Sequence, residues 1–146
     1  MPRGRAKKNE ANWSNPRLIQ EILEESRIVA IIGISDDPDR PSNEIARYLI
    51  ENGYRVIGVN PSLEEVLGAL CYPSLEAIPE PVDVVDVFRK PDTVEEIVDD
   101  VIKLEIPYLW LQEGVVNSDA AFRAKSAGIK VIMDHCMKKE HSRLRL

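Results

Sequence analysis

Cysteine is scarce: Cys71 and Cys136 are the whole complement. Two thiols cannot build a disulfide framework, and no segment running from charged to apolar to small residues opens the chain, so a cytoplasmic protein is expected. Long apolar runs are missing too. The strongest stretch, Ile28 to Ile32, is soon followed by Asp36 and Asp37, far short of the roughly 18 to 20 residues that cross a bilayer. No membrane partner is expected. Positive charge is outweighed: 25 Asp and Glu against 19 Lys and Arg leave a formal net charge of -6. Such a surface does not neutralise a phosphate backbone, so no nucleic-acid partner is expected. The basic residues gather at the ends, Arg3, Arg5, Lys7 and Lys8 first, then Lys138, Lys139, Arg143 and Arg145, and read as solvated tails.

What is present suits one domain. A chain of 146 residues, 44% of them hydrophobic, can bury a continuous core without disulfide or metal. The pattern assigns residues 1–14 to a basic flexible tail and 15–146 to a single domain. "NPRLIQEILEE" places Leu18, Ile19, Ile22 and Leu23 on one helical stripe, with Asn15 as N-cap and Pro16 in the first turn. "RIVAIIG" is continuously apolar and β-branched, as in a strand covered on both faces. Strand-like runs recur near Tyr54, Val82, Pro107 and Ile129. Between them run stripes of helical period, Ile45–Ile50, Val94–Ile102 and "SDAAFRAKSAG", the last capped by Asn117 or Ser118 and stopped at Gly128. This is the rhythm of βαβ units. It predicts a Rossmann-like, doubly wound α/β sheet of about five parallel strands with flanking helices in three layers.

In such sheets ligands bind beyond the carboxyl ends of the strands. Those ends read Gly33-Ile34-Ser35, Val59-Asn60-Pro61, Phe88-Arg89-Lys90-Pro91, Gln112-Glu113-Gly114 and Asp134-His135-Cys136. The first loop suits phosphate: Gly33 permits a tight turn, Ser35 offers a hydroxyl, Arg40 a charged fork, and Pro41-Ser42 open a helix whose free N–H groups attract an anion. A dinucleotide fingerprint would show three glycines and an acid ending the second strand. Here there is one glycine, and Val59-Asn60-Pro61 has no acid. Both facts disfavour NAD, and the missing acid is compatible with a ligand carrying extra phosphate near its ribose, NADP or coenzyme A.

The ordered segments "GISDDPDRPS", "GYRVIGVNP", "VLGALCYPSLEAIPEPVDVVDVFR", "LWLQEGVVN" and "MDHCMKKEHSRL" resemble the small stand-alone CoA-binding proteins. These are similar to the amino-terminal CoA-binding domain of the succinyl-CoA synthetase α subunit. The resemblance implies coenzyme A or a short acyl-CoA as ligand. It implies that Gly33, Ile34 and Ser35 approach the diphosphate, with Arg40, Pro41 and Ser42 at the helix start. It sets Val59, Asn60 and Pro61 at the adenosine end and Phe88 and Arg89 along the next loop. Gln112, Glu113 and Gly114 would flank the pantetheine, with Cys136 where such proteins commonly carry cysteine. Two positions depart: Ser62 follows "VNP" where relatives often have a basic residue, and His135 precedes the late cysteine where they often have arginine.

The synthetase reaction brought to mind by this resemblance uses a phosphohistidine on a further domain and a partner subunit, so no catalysis is expected of this chain alone. His135, Cys136 and His141 match no familiar metal spacing, and no metal is expected. Two other readings stay open: an NADP-linked oxidoreductase, and a CoA- or redox-responsive regulatory protein acting through Cys136 and the basic C-terminal tail. A homodimer or an unidentified protein partner also stays open, because the Leu18/Ile22 stripe serves a dimer as readily as a core.

Overall fold

The computed structural model describes residues 12–144. Helix α1 (Pro16–Glu25) begins where expected, the Asn15 side chain accepting from the N–H groups of Arg17 and Leu18. It leads into β1 (Ile28–Ile32), followed by α2 (Pro41–Glu51) and β2 (Arg55–Val59). A short hairpin, β3 (Glu65–Val66) and β4 (Ala69–Tyr72), precedes β5 (Val84–Val87). A single 3₁₀ turn leads into α3 (Val94–Lys103), and then come β6 (Tyr108–Leu111), α4 (Ser118–Ser126), β7 (Lys130–Met133) and α5 (Met137–Leu144).

The sheet order is β3-β4-β2-β1-β5-β6-β7. All neighbours are parallel except β3 with β4. The five expected strands are all present, and the hairpin adds two more. Its turn is Leu67-Gly68, both at positive φ (55° and 81°), which matches the right-handed twist of a tight hairpin. The other correction is at the C-terminal end: Lys138, Lys139 and Arg143 lie on α5, a helix that buries Met137 and His141. Arg145 and residues 1–11 of the basic start lie outside the described residues, whereas Trp13 is buried and its carbonyl accepts from Met133 N at 3.0 Å.

Alternation along the strands builds two cores. Ala30, Ile32, Val85, Val87, Leu109 and Leu111 face α3 and α4, which contribute Val94, Val98, Val101, Ala120 and Ala124. Val29, Ile31, Val84, Trp110 and Ile132 face the layer of α1, α2 and α5. The α1 stripe is spent here, since Ile19, Ile22 and Leu23 are buried in this second core. Burying such a side chain contributes roughly 1.5–3 kcal/mol, so the layer is held by apolar area.

One residue breaks that pattern. Asp86, in the middle of β5 between Ile31 and Trp110, is fully buried, and neither carboxylate oxygen has a hydrogen-bond partner among the described residues. Burial in apolar surroundings disfavours its charged form and raises its pKa well above the ordinary aspartate value.

The amino ends of the strands are tied by polar contacts. Asp83 accepts from the N–H groups of Arg27 at 2.9 Å and Ile28 at 2.8 Å, at the head of β1. Arg55, opening β2, forms a two-point fork with Glu80 at 2.6 Å. Glu21 accepts from the Tyr108 hydroxyl at 2.7 Å and from Lys130 Nζ at 2.9 Å, joining the heads of β6 and β7 to α1.

Candidate functional site

The chain leaves β1 toward β2 on one side and, after the hairpin, resumes at β5 on the other, so the topology reverses between β1 and β5. Gly33 ends β1 at that point. Its φ is +86°, and a Cβ placed there would lie 2.3 Å from the Phe88 carbonyl oxygen. Only glycine lets the two strand-end loops run this close. Phe88 N donates to Ile32 O at 2.9 Å, and Gly33 N to Val59 O at 3.1 Å, so the loops leave the sheet in register.

Two asparagines shape the first loop. Asn60 Nδ2 donates to Ile34 O at 2.9 Å while its Oδ1 accepts from Ser62 N at 2.8 Å. Asn43, buried on α2, donates to Ser35 O at 2.9 Å. The Ser35 hydroxyl accepts from Asp37 N at 3.0 Å. Helix α2 then starts at Pro41 with Arg40 as its N-cap, and no side chain caps it. Pro41 has no N–H, and those of Asn43 and Glu44 turn back to Arg40 O at 3.0 and 3.2 Å, so the Ser42 N–H and the positive end of the dipole are what α2 offers an anion.

These loops enclose a cleft of about 1080 Å³. Small-molecule pockets span about 300–1000 Å³, so this one suits a large, elongated ligand. Its lining crosses the ends of β2, β1, β5 and β6, a width of about 14 Å at the usual strand spacing. Of the expected site residues, Gly33, Ile34, Ser35, Arg40, Pro41, Ser42, Asn60, Phe88, Arg89, Gln112, Glu113 and Cys136 all line it. Val59, Pro61 and Gly114 do not. Val59 is packed into the core beneath α3 and α4, and Gly114 turns its N–H to Asp134 Oδ1 at 2.8 Å. Gln112 is buried, and its Oε1 accepts from Met137 N at 3.2 Å, so it fixes the start of α5.

The lining also holds Glu44, Lys138 and Lys139, which the sequence did not point to, and Lys90, which it placed at a strand end without a role. Ser62, flagged for the basic residue it replaces, lies in the cleft as well. Five lining residues are cations (Arg40, Arg89, Lys90, Lys138, Lys139) and three are anions (Asp36, Glu44, Glu113), in a chain whose formal net charge is -6. The cleft is thus electropositive against the charge of the whole. Among the described residues Arg89 and Lys90 have no ion-pair partner.

Neither histidine reaches the cleft. His141 is buried with Nδ1 2.8 Å from the Tyr48 hydroxyl, and burial lowers its pKa. His135 lies 3.4 Å from Glu140. Cys136 is buried at the cleft wall, whereas Cys71 packs on Gly58, where a Cβ would come within 2.5 Å of its sulfur. Burial, with Glu65 nearby, raises the Cys71 pKa. Among the described residues no group of His, Cys, Asp and Glu is arranged to hold a metal, and no helix is long and apolar enough to cross a membrane.

A doubly wound parallel sheet with a cation-lined cleft at its point of reversal defines a Rossmann-like α/β protein. Residues 27–142 match the family described as CoA binding domain, and the chain belongs to it. YneT of Bacillus subtilis (strain 168) is 38% identical over 124 residues, 85% of this chain and 92% of YneT. A hypothetical protein from Pyrococcus horikoshii OT3 has a solved structure that superposes with a TM-score of 0.86 at 38% identity, covering 100% of both chains. The ADP-forming acetate–CoA ligase I of Archaeoglobus fulgidus is 34% identical over 104 residues. That match takes in 71% of this chain but 14% of the ligase, so the chain is homologous to one region of a much longer enzyme.

Proposed function

We propose that the cleft binds coenzyme A or a short acyl-CoA, in the cytoplasm, and that this chain performs no catalysis by itself. The carrying observation is the electropositive cleft at the β1/β5 reversal of an acidic chain. Family membership supplies the ligand class. In this reading Gly33, Ile34 and Ser35 face the diphosphate beside the uncapped start of α2. Arg89 and Lys90, without ion-pair partners among the described residues, supply charge, Asn60 borders the adenosine, and Gln112, Glu113 and Cys136 flank the pantetheine.

Two further observations support it. The side chain of Asn60 is occupied by Ile34 O and Ser62 N, and no carboxylate ends β2 to accept ribose hydroxyls as in NAD sites. Neither histidine lines the cleft, which fits a binding module without a phosphohistidine step.

Calorimetric titration with coenzyme A, acetyl-CoA and NADP separates the readings. Saturable binding of the two CoA ligands, with NADP at least tenfold weaker, is the expected result. NADP binding with no CoA binding at millimolar ligand would replace this reading with a dehydrogenase-like one.

A further inference from the structure

The first turn of α5 stands at the mouth of the cleft, and its two consecutive lysines reach opposite walls. Lys139 Nζ lies 3.1 Å from both carboxylate oxygens of Glu113, on the β6–α4 loop. Hydrogen bonding to Glu113 raises the Lys139 pKa. Lys138 turns the other way, toward α2. There one Glu44 oxygen lies 3.4 Å from its Nζ, and the centre of the Tyr48 ring 5.6 Å. Glu44 and Tyr48 are four residues apart on α2 and share a face, so Lys138 lies along that stripe.

The two pairs are unequal. Both are solvent-exposed and worth little in water, but Lys139 meets two oxygens of Glu113, whereas Lys138 has one longer contact with Glu44 beside the Tyr48 ring. Its partner is therefore exchangeable. Glu44 also sits in the first turn of the uncapped α2. A phosphate drawn to the Ser42 N–H and the positive end of that helix meets Lys138 as a counter-ion and Glu44 as a like charge.

The geometry points to Lys138 as a phosphate-binding residue of the cleft, with Glu44 as a carboxylate placeholder that the incoming phosphate displaces toward solvent. The buried Met137 and His141, with Gln112 Oε1 accepting from Met137 N, anchor α5 so that Lys138 stays in reach. The assignment rests on the CoA reading and deepens it, because it gives part of phosphate recognition to an element outside the strand-end loops.

Titration of the full chain with coenzyme A, ADP and NADP, at low and at moderate salt, tests it. Lys138→Gln is expected to weaken coenzyme A about tenfold and to flatten the salt dependence. Glu44→Gln is expected to tighten it severalfold at low salt. Opposite signs are the diagnostic, since a merely structural ion pair would shift both variants the same way. Thermal melts of both should match the parent.

Affinity for coenzyme A within twofold of the parent in both variants, or shifts of the same sign, would overturn the assignment and leave the CoA reading standing. Should the parent bind ADP or NADP but no coenzyme A, with the opposite shifts retained, the Lys138 assignment survives and the CoA reading falls. If the parent binds none of the three, both fall.

Discussion

The two ends of the sheet treat their polar groups in opposite ways. At the amino ends they are consumed internally: Asp83 on the head of β1, Arg55 with Glu80 at β2, and Glu21 with Tyr108 and Lys130 at β6 and β7. At the carboxyl ends hydrogen bonds fix the backbone of the loops, but Arg89 and Lys90 have no ion-pair partner among the described residues and α2 has no side-chain cap. A charge satisfied within the protein adds to its order and has little left for a ligand, and one left open has the reverse effect.

The contrast can be tested from both sides. Gly33→Ala should have the largest effect, because it forces a Cβ into the Phe88 carbonyl at a positive φ. A loss of about 2–4 kcal/mol in urea unfolding is expected, together with loss of ligand binding. A variant as stable as the parent would show that the β1/β5 junction tolerates separation. Asp83→Ala comes next, leaving two backbone N–H groups without their acceptor. It should cost about 2–3 kcal/mol while the folded fraction keeps its affinity for coenzyme A.

The reverse signature belongs to Arg89→Gln combined with Lys90→Gln. Their affinity for coenzyme A should fall at least tenfold, about 1.4 kcal/mol, with Tm unchanged within about 1 °C. A fall in Tm of several degrees would mean that these cations serve the fold after all. Tyr108→Phe should have the smallest effect, about 1 kcal/mol of stability from the lost bond to Glu21, with no change in ligand affinity. It should also remove a phenol titration that burial, followed by the Glu21 hydrogen bond, pushes up to about 12, read as a missing high-pH absorbance step.

Much of this division was legible in the sequence because buried parallel strands announce themselves. Ile28 to Ile32 is apolar at every position, and both cores draw on it, as the alternate placement of Ala30 and Ile31 shows. The hairpin was illegible for a specific reason. Its turn carries leucine, not asparagine or aspartate, at the first left-handed position, and its strands are only two and four residues long.

Helix α5 was hidden by its composition. "MKKEHSRL" buries only Met137 and His141, so its charges looked like a solvated tail. The four-residue spacing of Met137 and His141 was the signal available. With α5 unseen, Lys138 and Lys139 could not be brought to the cleft, whereas the strand-end loops, which follow legible strands, supplied most of the lining. Val59 and Gly114 show the limit of that route: a residue at a strand end can face the core or spend its N–H on a neighbour.

The lone carboxyl of Asp86 has a consequence for solution behaviour. The unfolded chain releases that proton near the ordinary aspartate value, while the native sheet keeps it to a higher pH, so between those two values folding is coupled to proton uptake. The contribution of Asp86 to stability is fully present below the unfolded pKa and is lost as pH rises toward the raised native one. Urea unfolding measured from pH 4 to 8 should carry this downward slope, and Asp86→Asn, which has no proton to lose, should flatten it.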